Sequence, residues 1–177
     1  MKTRNRMSIK TIAISGVLVA LSIVLTRFLA FMPTSTLRLG FGEVPIMLSG
    51  FLFGPMTGGI TGIAADFVGL AINAQGTPHL GFTISSMLWG MIPGIFTNIL
   101  KKVKVDNPYS SFNIIVVVSI CFLSISLVLN TYWLSQLHGR GFFIVLPERV
   151  LSSIVNIPVQ SIILISILKS LRKNLNI

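Results

Sequence analysis

Residues 44–73 read VPIMLSGFLFGPMTGGITGIAADFVGLAIN, thirty residues with one charge, Asp66, and a Gly54-Pro55 step in the interior. A helix needs about 20 mostly apolar residues to cross a bilayer, so the block is too long for one crossing. Gly-Pro is a strong breaker, and the block divides there into two short helices, 44–54 and 57–73. Further apolar runs lie on either side, at 9–32 (stopped by Pro33), 81–100, 112–134 and 142–168, separated by polar stretches at 34–43, 74–80, 101–111 and 136–140. The count is then six transmembrane helices. Charge placement tests it. Lys2, Arg4, Arg6 and Lys10 precede the first run, Lys101, Lys102 and Lys104 fill the central gap, and Lys169, Arg172 and Lys173 close the chain. Lys and Arg beside segment ends mark the cytoplasmic side. Six crossings bring all three clusters there, with both termini. Five crossings would place Lys101–Lys104 inside only with the N-terminus outside, against its own four charges.

Composition agrees. Of 177 residues, 53% are hydrophobic and 10% charged, with a mean hydropathy of +0.87. Soluble domains carry roughly 25% charged residues, so lipid must be the solvent for most of this surface. The expected fold is an all-α integral membrane protein, one compact six-helix domain over residues 1–177, multi-pass in a bacterial plasma membrane. A net charge of +10 would suggest nucleic acid in a soluble protein. Here it is gathered beside apolar segments, where it meets anionic lipid headgroups, and no nucleic-acid partner is expected. The single cysteine, Cys121, allows no internal disulfide. Small residues four apart, Gly58 and Gly62, with Gly69 seven further on, suit close helix packing in lipid. Gly16 and Ala20 on the first helix form a similar pair that can face a neighbour or another protein.

A few charges stand apart from the clusters. Arg27, Arg38, Glu43, Arg140, Glu148 and Arg149 fall in the outer half or outer loops, and Asp66 lies mid-helix. An ionisable residue inside a bilayer is a functional candidate by default, although Asp66 could be held by an ion pair with Arg27 or Arg149. Arg27 could instead snorkel to headgroups. Asn73, His79, Phe82, Ser85 and Trp89 lie at the same level. Trp89, a turn beyond Ser85, is placed to stack a flat ligand. His79 has no second metal-ligating neighbour and reads as a loop residue, and Tyr132 and Trp133 read as interfacial anchors. Two or three arginines, one or two acids and stacking aromatics suit an anionic ligand containing a flat heterocycle. There is no G-x-x-x-x-G-K-[ST] phosphate loop, metal-ligand cluster or nucleophile motif, so no catalytic role, metal or cofactor is expected.

The stretch LRLGFGEVPIMLSGFLFGPMTGGITGIAADFVGLAIN (37–73), followed by GFTISSMLWGMIPGI (81–95), resembles the membrane-embedded S-components of energy-coupling factor (ECF) vitamin transporters. Within them it is most similar to the folate-specific subfamily. The F-G-P-x-x-G-G run carries most of the likeness, and LPERVLSSIVNIPVQ (146–160) is similar to the family's last helix. Two departures stand out: Glu43 occupies a position that is apolar in the pattern, and Leu80-Gly81 replaces Pro-Gly. The resemblance implies a substrate-capture subunit for folate, partnered by a transmembrane coupling protein and two ATPases that supply the energy. It implies ligand contacts from Arg27, Asp66 and Arg149, docking of the coupling protein on Gly16 and Ala20, and a cap over the pocket from 33–43. The rival ligands are riboflavin, a thiamine precursor or a queuosine-type compound. The rival class is a structural or assembly protein of the membrane.

Overall fold

The computed structural model describes residues 8–30, 39–74, 77–105 and 107–175, with side chains as far as Leu171. Six helices run in chain order: α1 Ile9–Arg27, α2 Glu43–Phe53, α3 Pro55–Ile72, α4 Leu80–Lys102, α5 Ser111–His138 and α6 Phe142–Leu175. Five are long and apolar enough to cross a membrane. The exception is α2, whose 11 residues reach about 16 Å at 1.5 Å each, half of a bilayer core.

The break falls where Gly54-Pro55 puts it. Gly54 adopts φ +89°, a conformation open to glycine alone. Pro55 opens α3, where its missing N–H costs nothing. The first helix is shorter than its apolar run, ending at Arg27 rather than near 32, because Arg27 turns inward. The last runs on to Leu175, past Pro147 and Pro158. Arg38, and most of the presumed cap at 33–43, lie outside the described residues.

α3 packs most extensively on α4, and α2 on both. Glycines make that contact. A β-carbon on Gly58 would sit 2.7 Å from Gly50 Cα and 2.8 Å from the Gly90 carbonyl carbon, and one on Gly90 would meet the Gly58 carbonyl oxygen. Backbones this close are the small-residue packing of helices in lipid. Ser49 and Thr61 hydrogen-bond across the seam at 2.8 Å. α5 changes pitch midway. Residues 122–130 are π-helical, which widens the helix and turns Phe122, Ile125 and Ser126 inward.

Exposed positions are largely apolar, including Ile12, Val17, Phe67, Phe143, Ile154 and Ile162. Buried ones include Ser22, Thr61, Ser85, Thr131, Ser152, Asn156 and Gln160. Polar inside and apolar outside is the arrangement lipid favours.

Gly90→Val is expected to overpack the α3–α4 crossing at a cost of about 1–3 kcal/mol or more. Cys121 is fully buried, so the reaction of its thiol with a fluorogenic dye during heating reports unfolding, and the variant should melt well below the parent. An unchanged melt would mean the seam has slack.

Candidate functional site

The polar interior lies toward the end of the bundle where α1 and α3 finish and α2 and α4 begin. At its edge Arg27 leaves α1 and enters the bundle, 3.5 Å from the Asp66 carboxylate. Its guanidinium lies against Gly69, where a β-carbon would sit 3.0 Å from Nε, so the absence of a side chain there makes room for it. The second Asp66 oxygen accepts from the Thr83 hydroxyl at 2.6 Å. Asn73, just past the end of α3, donates to the Arg27 carbonyl at 3.4 Å. One network therefore ties α1, α3 and α4. Arg27 does not snorkel: it is 8% exposed, because a buried Asp66 offers a stronger partner than distant headgroups.

On α4, His79 caps the helix, its Nδ1 accepting from the Gly81 N–H at 3.0 Å. Its ring packs against Phe82 and Trp133. Trp133 seats over Gly81, where a β-carbon would collide with the indole, so its ring is packed against the start of α4. Ser85 is buried, and its Oγ has no partner among the described residues. Trp89 is 4% exposed and stands edge-on to Phe122 at 4.8 Å. The π-helical turn of α5 delivers Phe122 to that spot, which periodicity could not foresee.

The richest polar face was not singled out from the sequence. On α6, Arg149, Ser153, Asn156 and Gln160 are spaced by 4, 3 and 4, which stacks them on one side of a helix. All four are buried, with Ser152 beside them. They meet the short chain segment that leads into α2. Asn156 Oδ1 accepts from the Gly40 N–H at 3.3 Å, and Gln160 Nε2 donates to the Gly40 carbonyl at 2.8 Å and to Glu43 at 3.1 Å. From the other side Ser22 donates to the Gly42 carbonyl at 2.7 Å. The heptad-like spacing of polar residues in an apolar helix was the available signal.

Several buried polar atoms on these faces lack partners among the described residues: Ser85 Oγ, Asn130 Oδ1, Trp133 Nε1, Ser153 Oγ, Gln160 Oε1 and Ser161 Oγ. Native interiors leave few such atoms, so a concentration of them in a bundle's polar half is what a site for a polar ligand or water presents. Gly16 and Ala20 lie apart from it, exposed on the outer face of α1. Two open clefts, about 370 Å³ beside Tyr109, Ser111 and Lys169 and about 300 Å³ beside Gly54, Thr97 and Lys101, sit at the opposite, basic end. No group of His, Cys, Asp and Glu suited to a metal occurs among the described residues.

Comparison with known proteins gives three findings. The family described as the S component of the ECF-type riboflavin transporter matches residues 6–173. The folate transporter FolT of Clostridium novyi (strain NT) is 33% identical over 147 residues, covering 83% of this chain and 81% of that one. The crystal structure of FolT bound with folic acid superposes with a TM-score of 0.74 at 29% identity, covering 89% of this chain and 91% of that one.

Asp66→Asn strands the buried Arg27 guanidinium and is expected to cost about 3 kcal/mol of stability. Adding Arg27→Gln should restore part of that loss, because the two changes share one interaction. Thermal melts followed through Cys121 measure both. Strictly additive losses would mean the 3.5 Å contact carries no energy.

Proposed function

Because this chain belongs to the S components of the ECF-type riboflavin transporter family, we propose that it is the capture subunit of a vitamin importer and that its ligand is folate. It is a multi-pass membrane protein and a transporter component rather than an enzyme. The observation that carries the ligand reading is the buried polar face of α6, Arg149 through Gln160, in a bundle that also holds the Arg27–Asp66–Thr83 network. Folic acid has a flat bicyclic head rich in hydrogen-bonding groups and a tail with two carboxylates. A dianion cannot leave water without a cation to receive it. Arg149, buried on α6, is the residue assigned to the tail, where a guanidinium can grip a carboxylate bidentately. Ser85, Asn130, Trp133 and Ser153 supply hydrogen-bonding groups that water or ligand can complete. The curated relative and the folic-acid-bound structure support the same ligand.

The rest follows from the family. Capture needs no nucleotide, and the sequence has no phosphate loop, so energy comes from a coupling protein and two ATPases. Both termini face the cytoplasm, where the three basic clusters meet anionic lipid, and the polar half opens outward. Gly16 and Ala20, exposed on α1, offer the coupling protein a flat helix face.

Riboflavin is the second reading, favoured by the description of the family itself. Its ribityl chain is uncharged and has no need of a buried cation. Titrating the detergent-purified protein with folic acid, riboflavin and thiamine, with emission from Trp89 and Trp133 as readout, separates the readings. Folic acid alone should quench saturably, and Arg149→Ala should weaken it about 10- to 100-fold, the worth of a charge-assisted hydrogen bond. A response to riboflavin alone would overturn the folate assignment and keep the family's role.

A further inference from the structure

We infer that Glu43 and Gln160 form an acceptor pair that reads the donor edge of the ligand's heterocycle and so sets the choice between folic acid and riboflavin. The inference rests on the folate reading above and adds to it the residues that recognise the head.

The orientation of Gln160 is set by its neighbours. Nε2 donates to the Gly40 carbonyl and to a Glu43 carboxylate oxygen, at 2.8 and 3.1 Å. Flipping the amide would set Oε1 against two acceptors, so the flipped form is excluded. Both donors of Gln160 are therefore spent. Its Oε1, buried in a residue 1% exposed, finds no donor among the described residues. Beside it stands Glu43, at the first position of α2, where the helix dipole favours a negative charge. Its carboxylate receives the Gln160 hydrogen bond, and no cation among the described residues pairs with it.

The other interior acid offers no such capacity. Asp66 has one oxygen on Arg27 and the other on Thr83. The Asn156–Gly40–Gln160 clamp, gripping both the N–H and the carbonyl of Gly40, holds Glu43 and Gln160 in register. What remains on Glu43 and Gln160 is several acceptor lone pairs with no donor facing them among the described residues. Its complement is a ligand edge made of donors.

Folic acid has such an edge. Its 2-amino-4-oxopyrimidine ring presents the exocyclic amine and the ring N3–H side by side, the spacing a carboxylate accepts bidentately. The second hydrogen of the amine is left for a neighbouring acceptor such as Gln160 Oε1. The matching ring of riboflavin is a dione, whose single N3–H is flanked by two carbonyl oxygens. Facing a carboxylate, those oxygens oppose acceptor to acceptor, and the buried acceptors stay unsatisfied. Repulsion and lost pairing then act in the same direction.

The test compares folic acid, its 2-desamino analogue and riboflavin on the purified full-length chain, parent and Glu43→Gln, by tryptophan quenching. The parent should prefer folic acid over the 2-desamino analogue by at least about 100-fold, because the analogue leaves buried acceptors bare. Glu43→Gln keeps the Gln160 contact and should lose folic acid affinity far more than analogue affinity, shrinking the preference to under about 10-fold. Equal binding of folic acid and the analogue by the parent would overturn the inference, with Gln160 Oε1 then satisfied by water. So would equal weakening of both ligands in the variant, which marks Glu43 as merely structural. Both results leave the folate reading standing. Failure of folic acid to bind the parent at all, with riboflavin binding, overturns that reading itself. If Glu43→Gln does not fold, as its Cys121 melt would reveal, the two-ligand comparison on the parent alone still decides.

Discussion

An 11-residue helix cannot cross a bilayer, and the architecture of the polar half follows from that. The chain before α2, residues 39–42, carries non-helical backbone packed between α1 and α6. Such backbone is tolerated only where protein satisfies it. Here the partners come from two sides: Ser22 of α1 takes the Gly42 carbonyl, while Asn156 and Gln160 of α6 take both polar groups of Gly40. The same need explains the glycines. A β-carbon on Gly42 would collide with Thr26, and one on Gly40 would press on Ala30 at 3.3 Å. Polar side chains deep in α6 thus have a structural role before any ligand arrives, and Glu43 is drawn into the interior as the first residue of the short helix.

The two ends of the bundle are built on different physics. Around Gly50, Gly58, Gly90 and Gly94, helices α2, α3 and α4 touch backbone to backbone, which leaves no room for anything else. Toward the other end the same helices carry Glu43, Asp66, Thr83 and Ser85, and α5 and α6 face them with polar groups. The π-helical run in α5 lies opposite Trp89, at the level where close packing gives way to polar lining. A close-packed glycine seam at one end and buried polar groups at the other suit a subunit that must hold one ligand without restructuring its own base.

Much of this was legible in the amino acids, for reasons particular to each element. Gly54-Pro55 signals its break because both residues restrict the backbone locally, and the basic clusters mark one side because charge cannot enter lipid. Arg27 and Asp66 stood out as candidates because ionisable residues are rare in apolar runs. Their pairing was only one of the alternatives, since nothing along the chain brings residues 27 and 66 together. The packing of Trp89 against Phe122 was not legible, because Phe122 arrives through a change of helical pitch that follows no residue pattern. Asn156 and Gln160 were not singled out as site residues. Weighed one at a time, a neutral amide in a membrane helix is unremarkable, and its meaning appears only when the backbone of Gly40 is seen against it.

Glu43 and Asp66 show how lipid constrains a binding site. An unbound pocket still faces the cost of its charges, so the arrangement that survives empty is one in which they are already compensated. Asp66 meets that condition through Arg27 and Thr83, which makes it a stabilising strut among three helices and a poor recognition group. Among the described residues, Glu43 meets it only in part, through one amide hydrogen bond and the N-terminus of α2. A carboxylate left short of donors has more to gain from a ligand that brings them than one fully satisfied in advance. Among the described residues, Glu43 rather than the more conspicuous mid-helix Asp66 is the acid that the fold leaves less compensated.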